Sequence, residues 1–296
     1  MLELKQVTII GTGLLGASLA LALRDRGYAG RIVGVGRRQE TLEQARGLGC
    51  FDGLTTSTTD ALVEARGLAG DQAHLAVLAA PLGHFQEIFS KVSACDDPGL
   101  IITDVGSTKA SVCAMAKKLL PDATRFVGSH PMAGSEQQGP TAADGKLFEG
   151  KPCVVTPAGG TDQKAVGLVK TLWEQVGMRL FEMTPDEHDK AVAMVSHLPH
   201  AAAALLVNLA KGKSLDIAST GFADSTRIAA GDPGLWVDIF VNNKEAVACS
   251  VDQMIDALQA FRDVLNGGDE SAMLQLLEEA KQTRDRWGDS RKQAGR

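Results

Sequence analysis

Along the first 184 residues, short apolar runs alternate with stretches whose apolar positions recur every three or four residues. The runs 7–10, 31–35, 75–79, 100–105, 125–127, 153–156 and 178–183 predict strands. Stretches 14–26, 40–48 and 107–119 between them predict helices. Strands that alternate with helices imply βαβ units, hence an α/β fold with a doubly wound, mostly parallel sheet. After about Thr184 the strands stop, and 186–211 reads as one long helix bent at Pro199, which lacks the ladder donor. Asp232-Pro233-Gly234 is a break, and a second long helix is predicted over 235–265. In it Phe240, Asn243, Val247, Val251, Met254, Leu258, Phe261 and Leu265 form one stripe, suited equally to an internal core or a homodimer seam. Gly267-Gly268 precedes a last helix over 270–287, and the small, polar, basic stretch 290–296 is expected to be disordered. The expected organisation is a sheet domain over 1–184 and an all-helical domain over 185–296.

Length supports that division, since 296 residues exceed one ordinary domain. With 44% hydrophobic and 22% charged residues the composition is that of a soluble globular protein. A net charge of -6 gives no general attraction for nucleic acid or an anionic membrane, so an anionic substrate needs local basic groups. Five scattered cysteines, none in a C-x-x-C pair, argue for a reducing compartment and against disulfides or a zinc site. The apolar stretch 7–23 imitates a signal peptide. Its glycine spacing and single basic flank, Lys5, instead predict strand, turn and helix in a cytoplasmic protein.

That glycine spacing is Gly11-Thr12-Gly13-Leu14-Leu15-Gly16, between a predicted strand and a predicted helix. The first glycine permits a tight turn, the second lets backbone approach a pyrophosphate, and the third lets helix and strand pack closely. The helix N-terminus offers free N–H groups and a positive dipole to phosphates. A dinucleotide is the expected cofactor. An NAD site usually has an acid at the end of the second strand, but here the chain reads Gly36-Arg37-Arg38. Two guanidiniums suit a 2′-phosphate, so NADP is expected ahead of NAD. Ala80-Pro81 ends the third predicted strand, where a cofactor would cross the sheet.

Candidate chemistry gathers at His130, in Gly128-Ser129-His130-Pro131-Met132-Ala133-Gly134-Ser135-Glu136 after a predicted strand. A histidine there can take a hydroxyl proton near neutral pH, as alcohol oxidation by hydride transfer requires. Ser107, in Asp104-Val105-Gly106-Ser107, is read first as an N-cap and second as a hydroxyl aimed into the site. His197 and His200 lie three apart on the long helix, without further ligands at metal spacing; one reads as a core histidine and one as facing a cleft. Arg227 offers a planar fork to a carboxylate, with Asp224 either orienting it or capping the next helix, and Trp236 follows.

Together with Ser196-His197-Leu198-Pro199-His200 and Thr226-Arg227-Ile228-Ala229, these motifs make the chain resemble the prephenate/arogenate (cyclohexadienyl) dehydrogenases over about residues 5–240. The resemblance implies a Rossmann domain followed by an all-α dimerisation domain, with the active site between them. It implies that His130 is the base on the ring hydroxyl, that Ser107 holds that hydroxyl, and that Arg227 binds a substrate carboxylate. His200, Asp224, Trp236 and Glu136 would line the pocket. The reaction implied is oxidative decarboxylation in tyrosine biosynthesis. Gly36-Arg37-Arg38 departs from NAD-using members, and no regulatory or mutase domain is expected within these residues. Other readings are an imine reductase, a β-hydroxyacid dehydrogenase, or a non-catalytic NADPH-binding sensor.

Overall fold

β-Branched and leucine-rich runs bounded by turns form eight strands of a single sheet: β1 (Gln6–Ile10), β2 (Arg31–Val35), β3 (Gly53–Thr55), β4 (His74–Leu78), β5 (Leu100–Asp104), β6 (Phe126–Pro131), β7 (Pro152–Thr156) and β8 (Arg179–Glu182). The computed structural model describes residues 2, 4–70, 72–134 and 137–294, the last four as backbone. Strand order is β3-β2-β1-β4-β5-β6-β7-β8. The ladder is parallel from β3 through β6, whereas β7 runs antiparallel to β6 and β8 parallel to β7. Helices α1 (Leu14–Asp25), α2 (Gln39–Arg46), α3 (Thr58–Ala69), α4 (Phe85–Ala94), α5 (Ala110–Leu119) and α6 (Gln163–Gln175) connect the strands.

The strands are buried on both faces because successive side chains alternate between two cores. Val7, Ile9, Leu75, Val77 and Ile101 pack with Leu19 and Leu23 of α1 and Trp173 of α6. Ile10, Ala76, Leu78, Leu100 and Ile102 pack with Leu62 of α3, Phe85 and Phe89 of α4 and Val112 of α5. Residues 7–23, the stretch that imitates a signal peptide, thus supply a central strand and its first helix. β3, only three residues long, was not among the predicted strands. β6 is longer than its predicted three residues. It pairs with β5 only at Phe126 and Val127, then turns its edge to β7 from Gly128 to Pro131.

Beyond β8, a capping box starts the helical part. Thr184 Oγ1 accepts from Glu187 N at 3.2 Å and Glu187 accepts from Thr184 N at 2.8 Å. α7 (Pro185–Val192) then runs through a π-helical segment, Ala193–His197, into α8 (Leu198–Leu209). The expected simple bend at Pro199 is instead this π segment, one turn earlier; Pro199 itself sits in the first turn of α8, where its missing N–H costs little. The 25-residue run Pro185–Leu209 is long and apolar enough to span a membrane by length and composition. It carries a buried, fully hydrogen-bonded polar pair, described below. Short helices α9 (Lys213–Asp216) and α10 (Thr220–Thr226) and a 3₁₀ turn, Arg227–Ala230, lead to α11 (Pro233–Asn242).

The expected single helix over 235–265 is broken at Asn243, whose φ and ψ of -121° and 30° end α11. α12 (Lys244–Gly267) and α13 (Glu270–Ala294) follow, so residues 290–294, expected to be disordered, are helical. Two compact units result, Met1–Lys244 and Glu245–Arg296. In the second, Met254, Leu258 and Phe261 of α12 face Leu276, Ala280 and Trp287 of α13 across a groove of about 690 Å³.

Candidate active site

The glycine turn after β1 has the tightness its spacing requires. Gly11 has φ +117°, and a Cβ there would lie 2.4 Å from the Ala79 carbonyl oxygen and 2.7 Å from Ala80 N. The turn and the Ala80-Pro81 edge after β4 therefore form one rim, where the strand order reverses. A Cβ on Gly16 would sit 1.9 Å from the Gly11 carbonyl oxygen, while the space beside Gly13 is open. Leu14 and Leu15 open α1 and lean on the core, and Thr12 is buried with an unpartnered hydroxyl. At the end of β2, Gly36 lies over that hydroxyl, with 3.0 Å from its Cβ position to Thr12 Oγ1. Arg37 and Arg38 follow, both exposed, and Arg37 Nη1 lies 3.3 Å from His84 Nδ1.

The carboxyl ends of β5 and β6 are joined by a buried polar cluster. Lys109 is fully buried, pairs with Asp104, and donates to the Ser129 carbonyl at 2.8 Å. Asp104 also accepts from Gly106 N at 2.8 Å and Ser129 N at 3.1 Å. Burial pushes the Asp104 carboxyl up; the Lys109 ammonium and these donors oppose that shift. Ser129 Oγ donates to the Asp104 carbonyl at 2.5 Å and receives Trp173 Nε1–H at 3.0 Å. This network locks the backbone just before His130, which lies within β6 rather than after it.

His130 is 8% exposed, and its Nδ1 lies 2.8 Å from His188 Nε2 on α7. His188 Nδ1 lies 2.7 Å from Asp189 Oδ1. Asp189 in turn accepts the backbone N–H of Lys109 at 2.7 Å and of Ala110 at 2.9 Å. The α5 N-terminus is thus capped by a carboxylate from another helix. Ser107, expected to cap it, lies three residues ahead on the half-buried turn after β5. Burial, with the His188 ring and Lys109 adding to it, holds His130 well below the usual histidine range. His130 is therefore a neutral acceptor at pH 7.

From Asp189 the contacts continue along the helices. Asn243 Nδ2 donates to the Asp189 carbonyl at 2.8 Å and lies 3.1 Å from His197 Nδ1. His197 meets the Trp236 ring edge to face at 6.2 Å. His200 stacks on Trp236 with centroids 3.5 Å apart, and its Nδ1 is buried without a partner. The turn Arg227–Ala230 packs on α8, and Arg227 and Asp224 are both exposed. Asp224 makes no ion pair with Arg227 and lies inside α10, so it neither orients that guanidinium nor caps a helix; Asp232 caps α11, accepting from Leu235 N at 2.8 Å. Glu136 lies outside the described residues.

Sequence reasoning missed His188, Asp189, Lys109 and Asn243. His188-Asp189 reads as an ordinary polar first turn of a helix, and Asn243 passed as a member of an apolar stripe. The available signal was an Asn at a core-facing position and an Asp-His pair beside a capping box. Among the described residues no cluster of metal-binding type occurs.

Two family models match the chain: prephenate dehydrogenase, nucleotide-binding domain, over residues 19–182, and prephenate dehydrogenase, dimerization domain, over 184–279. The chain is 32% identical to a prephenate dehydrogenase of Bacillus subtilis (strain 168), covering 94% of this chain and 75% of that one. It is 31% identical to a cyclohexadienyl dehydrogenase of Zymomonas mobilis, covering 95% of each. The structure of prephenate dehydrogenase from A. aeolicus, in complex with hydroxyphenyl propionate and NAD+, superposes with a TM-score of 0.87 at 34% identity, over 96% of this chain and 99% of that one.

Four of the buried histidines, His130, His188, His197 and His200, are held low chiefly by burial, His197 down to about 4 from 6.5. A lowered histidine binds fewer protons folded than unfolded between those two values, so stability rises with pH across that window. The urea midpoint is expected to be lower at pH 5 than at pH 7.5 and level above about pH 7. Equal midpoints at pH 5 and 7.5 would show that these rings do not stay neutral on folding.

Proposed function

The chain belongs to the prephenate dehydrogenase family, and on that premise we propose that it oxidises prephenate or arogenate, with loss of carbon dioxide, in tyrosine biosynthesis. The observation that carries the reading is a buried, neutral His130 toward the carboxyl end of β6, on the same edge of the parallel sheet as a glycine turn built for a dinucleotide.

The residues present fit such a cofactor. The open space at Gly13, the α1 N-terminus and the Ala80-Pro81 rim offer the pyrophosphate backbone donors and room. When bound, the nicotinamide supplies the acceptor for the hydride. Gly36, Arg37 and Arg38 favour the 2′-phosphate of NADP over a free 2′-hydroxyl, because no carboxylate stands at that strand end.

His130 Nδ1 is engaged by His188, so Nε2 is the atom that takes the proton from the substrate's ring hydroxyl. Ser107, on the turn after the neighbouring strand, positions that hydroxyl. As hydride leaves the hydroxyl-bearing carbon, the ring carboxylate departs as carbon dioxide and leaves its electron pair to complete the aromatic ring. Arg227, exposed and with no ion-pair partner among the described residues, grips a substrate carboxylate through its planar fork. The His200–Trp236 stack supplies a wall, with the unpartnered His200 Nδ1 available to the substrate side chain; Asp224 and Glu136 are the further substrate contacts in this reading. Residues 1–184 hold the cofactor, and 185–296 hold the substrate and the dimer contacts. Exposed Leu205 and Leu206 on α8, Val237 and Val241 on α11 and Leu258 on α12 support a homodimer through the helical part. The cytoplasm is the compartment this chemistry and the five free cysteines suit. Nothing beyond the fold favours an imine reductase, a β-hydroxyacid dehydrogenase or a sensor.

Replacing His130 with Asn is expected to lower kcat by about 10² or more while substrate still binds. Undiminished turnover would remove the base role. Arg227→Ala is expected to act mainly on KM, and an unaltered KM would refute the clamp. Reduction followed at 340 nm with each of prephenate and arogenate, paired with NADP and with NAD, identifies both ligands. Faster turnover with NADP, weakened selectively by Arg37→Ala, is the expected result; NAD preference would overturn the 2′-phosphate reading but leave the family intact. By light scattering the protein is expected at twice its 31.1 kDa chain mass, and a monomer at micromolar concentration would contradict the dimer.

A further inference from the structure

We propose that His188 and Asp189 are positioning residues that fix the tautomer of His130, holding the proton on Nδ1 so that Nε2 faces the substrate as a lone pair. This deepens the assignment of His130 as base and rests on it.

The direction of every hydrogen bond in the chain follows from its far end. Both oxygens of Asp189 accept from backbone amides, Lys109 N at 2.7 Å and Ala110 N at 2.9 Å, and an amide can only donate. His188 Nδ1, 2.7 Å from Oδ1, must therefore carry the proton in that contact. A neutral imidazole has one donor and one acceptor, so His188 Nε2 is a lone pair. His130 Nδ1, 2.8 Å away, is then the donor, and its Nε2 is left bare. The other tautomer would press two lone pairs together at that distance, in a place where water does not compensate. The rings meet edge to face, with an interplanar angle of 70° and centroids 5.1 Å apart, which suits one ring donating in its plane to the other.

The same chain accommodates the charge of the reaction. When Nε2 takes the substrate proton, His130 becomes a cation beside buried Lys109 and with His197 nearby. Besides the His130 ring, the titratable groups around His188 are Asp189, Asp104, Lys109 and His197. A tightened Nδ1–H bond to His188, backed by the Asp189 carboxylate, offsets the Lys109 charge without the proton having to leave His130. Asn243 holds the Asp189 backbone through its 2.8 Å bond to the carbonyl, so the dyad is itself anchored.

The test uses the full-length enzyme and two substitutions. His188→Leu removes the acceptor, while His188→Gln can turn Oε1 toward His130 and its amide toward Asp189. Nitrogen-15 spectra of histidine-labelled protein, free of ligands, are expected to show His130 protonated on Nδ1 in the wild type and in H188Q, and to lose that preference in H188L. kcat is expected to fall about 10²- to 10³-fold in H188L, with KM changed less than about threefold and the acidic limb of the pH–rate profile displaced. H188Q should recover to within about tenfold of wild type. A wild-type His130 protonated on Nε2 would overturn the inference outright, whether or not H188L folds. So would equal losses in H188L and H188Q with an unchanged tautomer, which would mark the pair as structural only. Loss of the base reading is distinct: H130N would then retain turnover while the His130 tautomer in the wild type stayed as stated.

Discussion

One carboxylate holds the site together. Asp189 comes from the first helix after the sheet, yet both its oxygens are spent on the first amides of α5, a helix of the sheet itself. A helix N-terminus carries partial positive charge and unsatisfied donors, so an anion placed there is stabilised by both. Through this contact α7 is fixed to the carboxyl edge of β5 and β6. His188 is thereby set against His130, and the Asp189 carbonyl receives Asn243 from the end of α11. Three separate stretches of chain, around residues 109, 189 and 243, meet within one residue's hydrogen-bonding reach.

Much of the fold was legible because its signals are local. The Gly11-Gly13-Gly16 motif lies within six residues and is read as a unit, although Gly11 answers to Ala79 on another strand as well as to Gly16. Strands buried on both faces announce themselves as continuous apolar runs. β3 escaped because three residues cannot display a period. The end of β6 was misplaced because a change of pairing partner at Gly128 leaves no trace in residue type. The site was legible only in part. His130 and Arg227 stand out by chemistry, whereas His188 and Asp189 gain their meaning from partners 58 and 80 residues away in sequence. Asn243 falls on the helical period of the apolar stripe, and only the tertiary contact shows that it ends one helix and braces another.

The buried pair Lys109–Asp104 serves the same edge. An ion pair taken wholly out of water gains little net stability, since desolvation consumes most of the attraction. What it provides is geometry. Asp104 simultaneously receives Lys109, Gly106 N–H and Ser129 N–H, so the ends of β5 and β6 hold one spacing although their backbone ladder has already stopped at Val127. The strand carrying His130 is thus free to pair with β7 while its active-site end stays registered to the turn carrying Ser107.

The π segment Ala193–His197 links these parts along a single rod. In an α-helix each residue turns the chain by about 100°, and a π turn takes up one residue more than an α turn. His188 and Asp189 precede the segment and His200 follows it, so it sets the angle between the face that orients the base and the face that stacks on Trp236. Among relatives of this chain, a loss of one residue between 193 and 197 would be the gap this rod absorbs most easily: it would restore a regular helix and leave His200 close to its present phase against Trp236. A loss elsewhere between Asp189 and His200, with the π turn kept, would swing His200 by about 100° and carry it off Trp236. Chain length is therefore constrained along this rod, with its slack at the π turn.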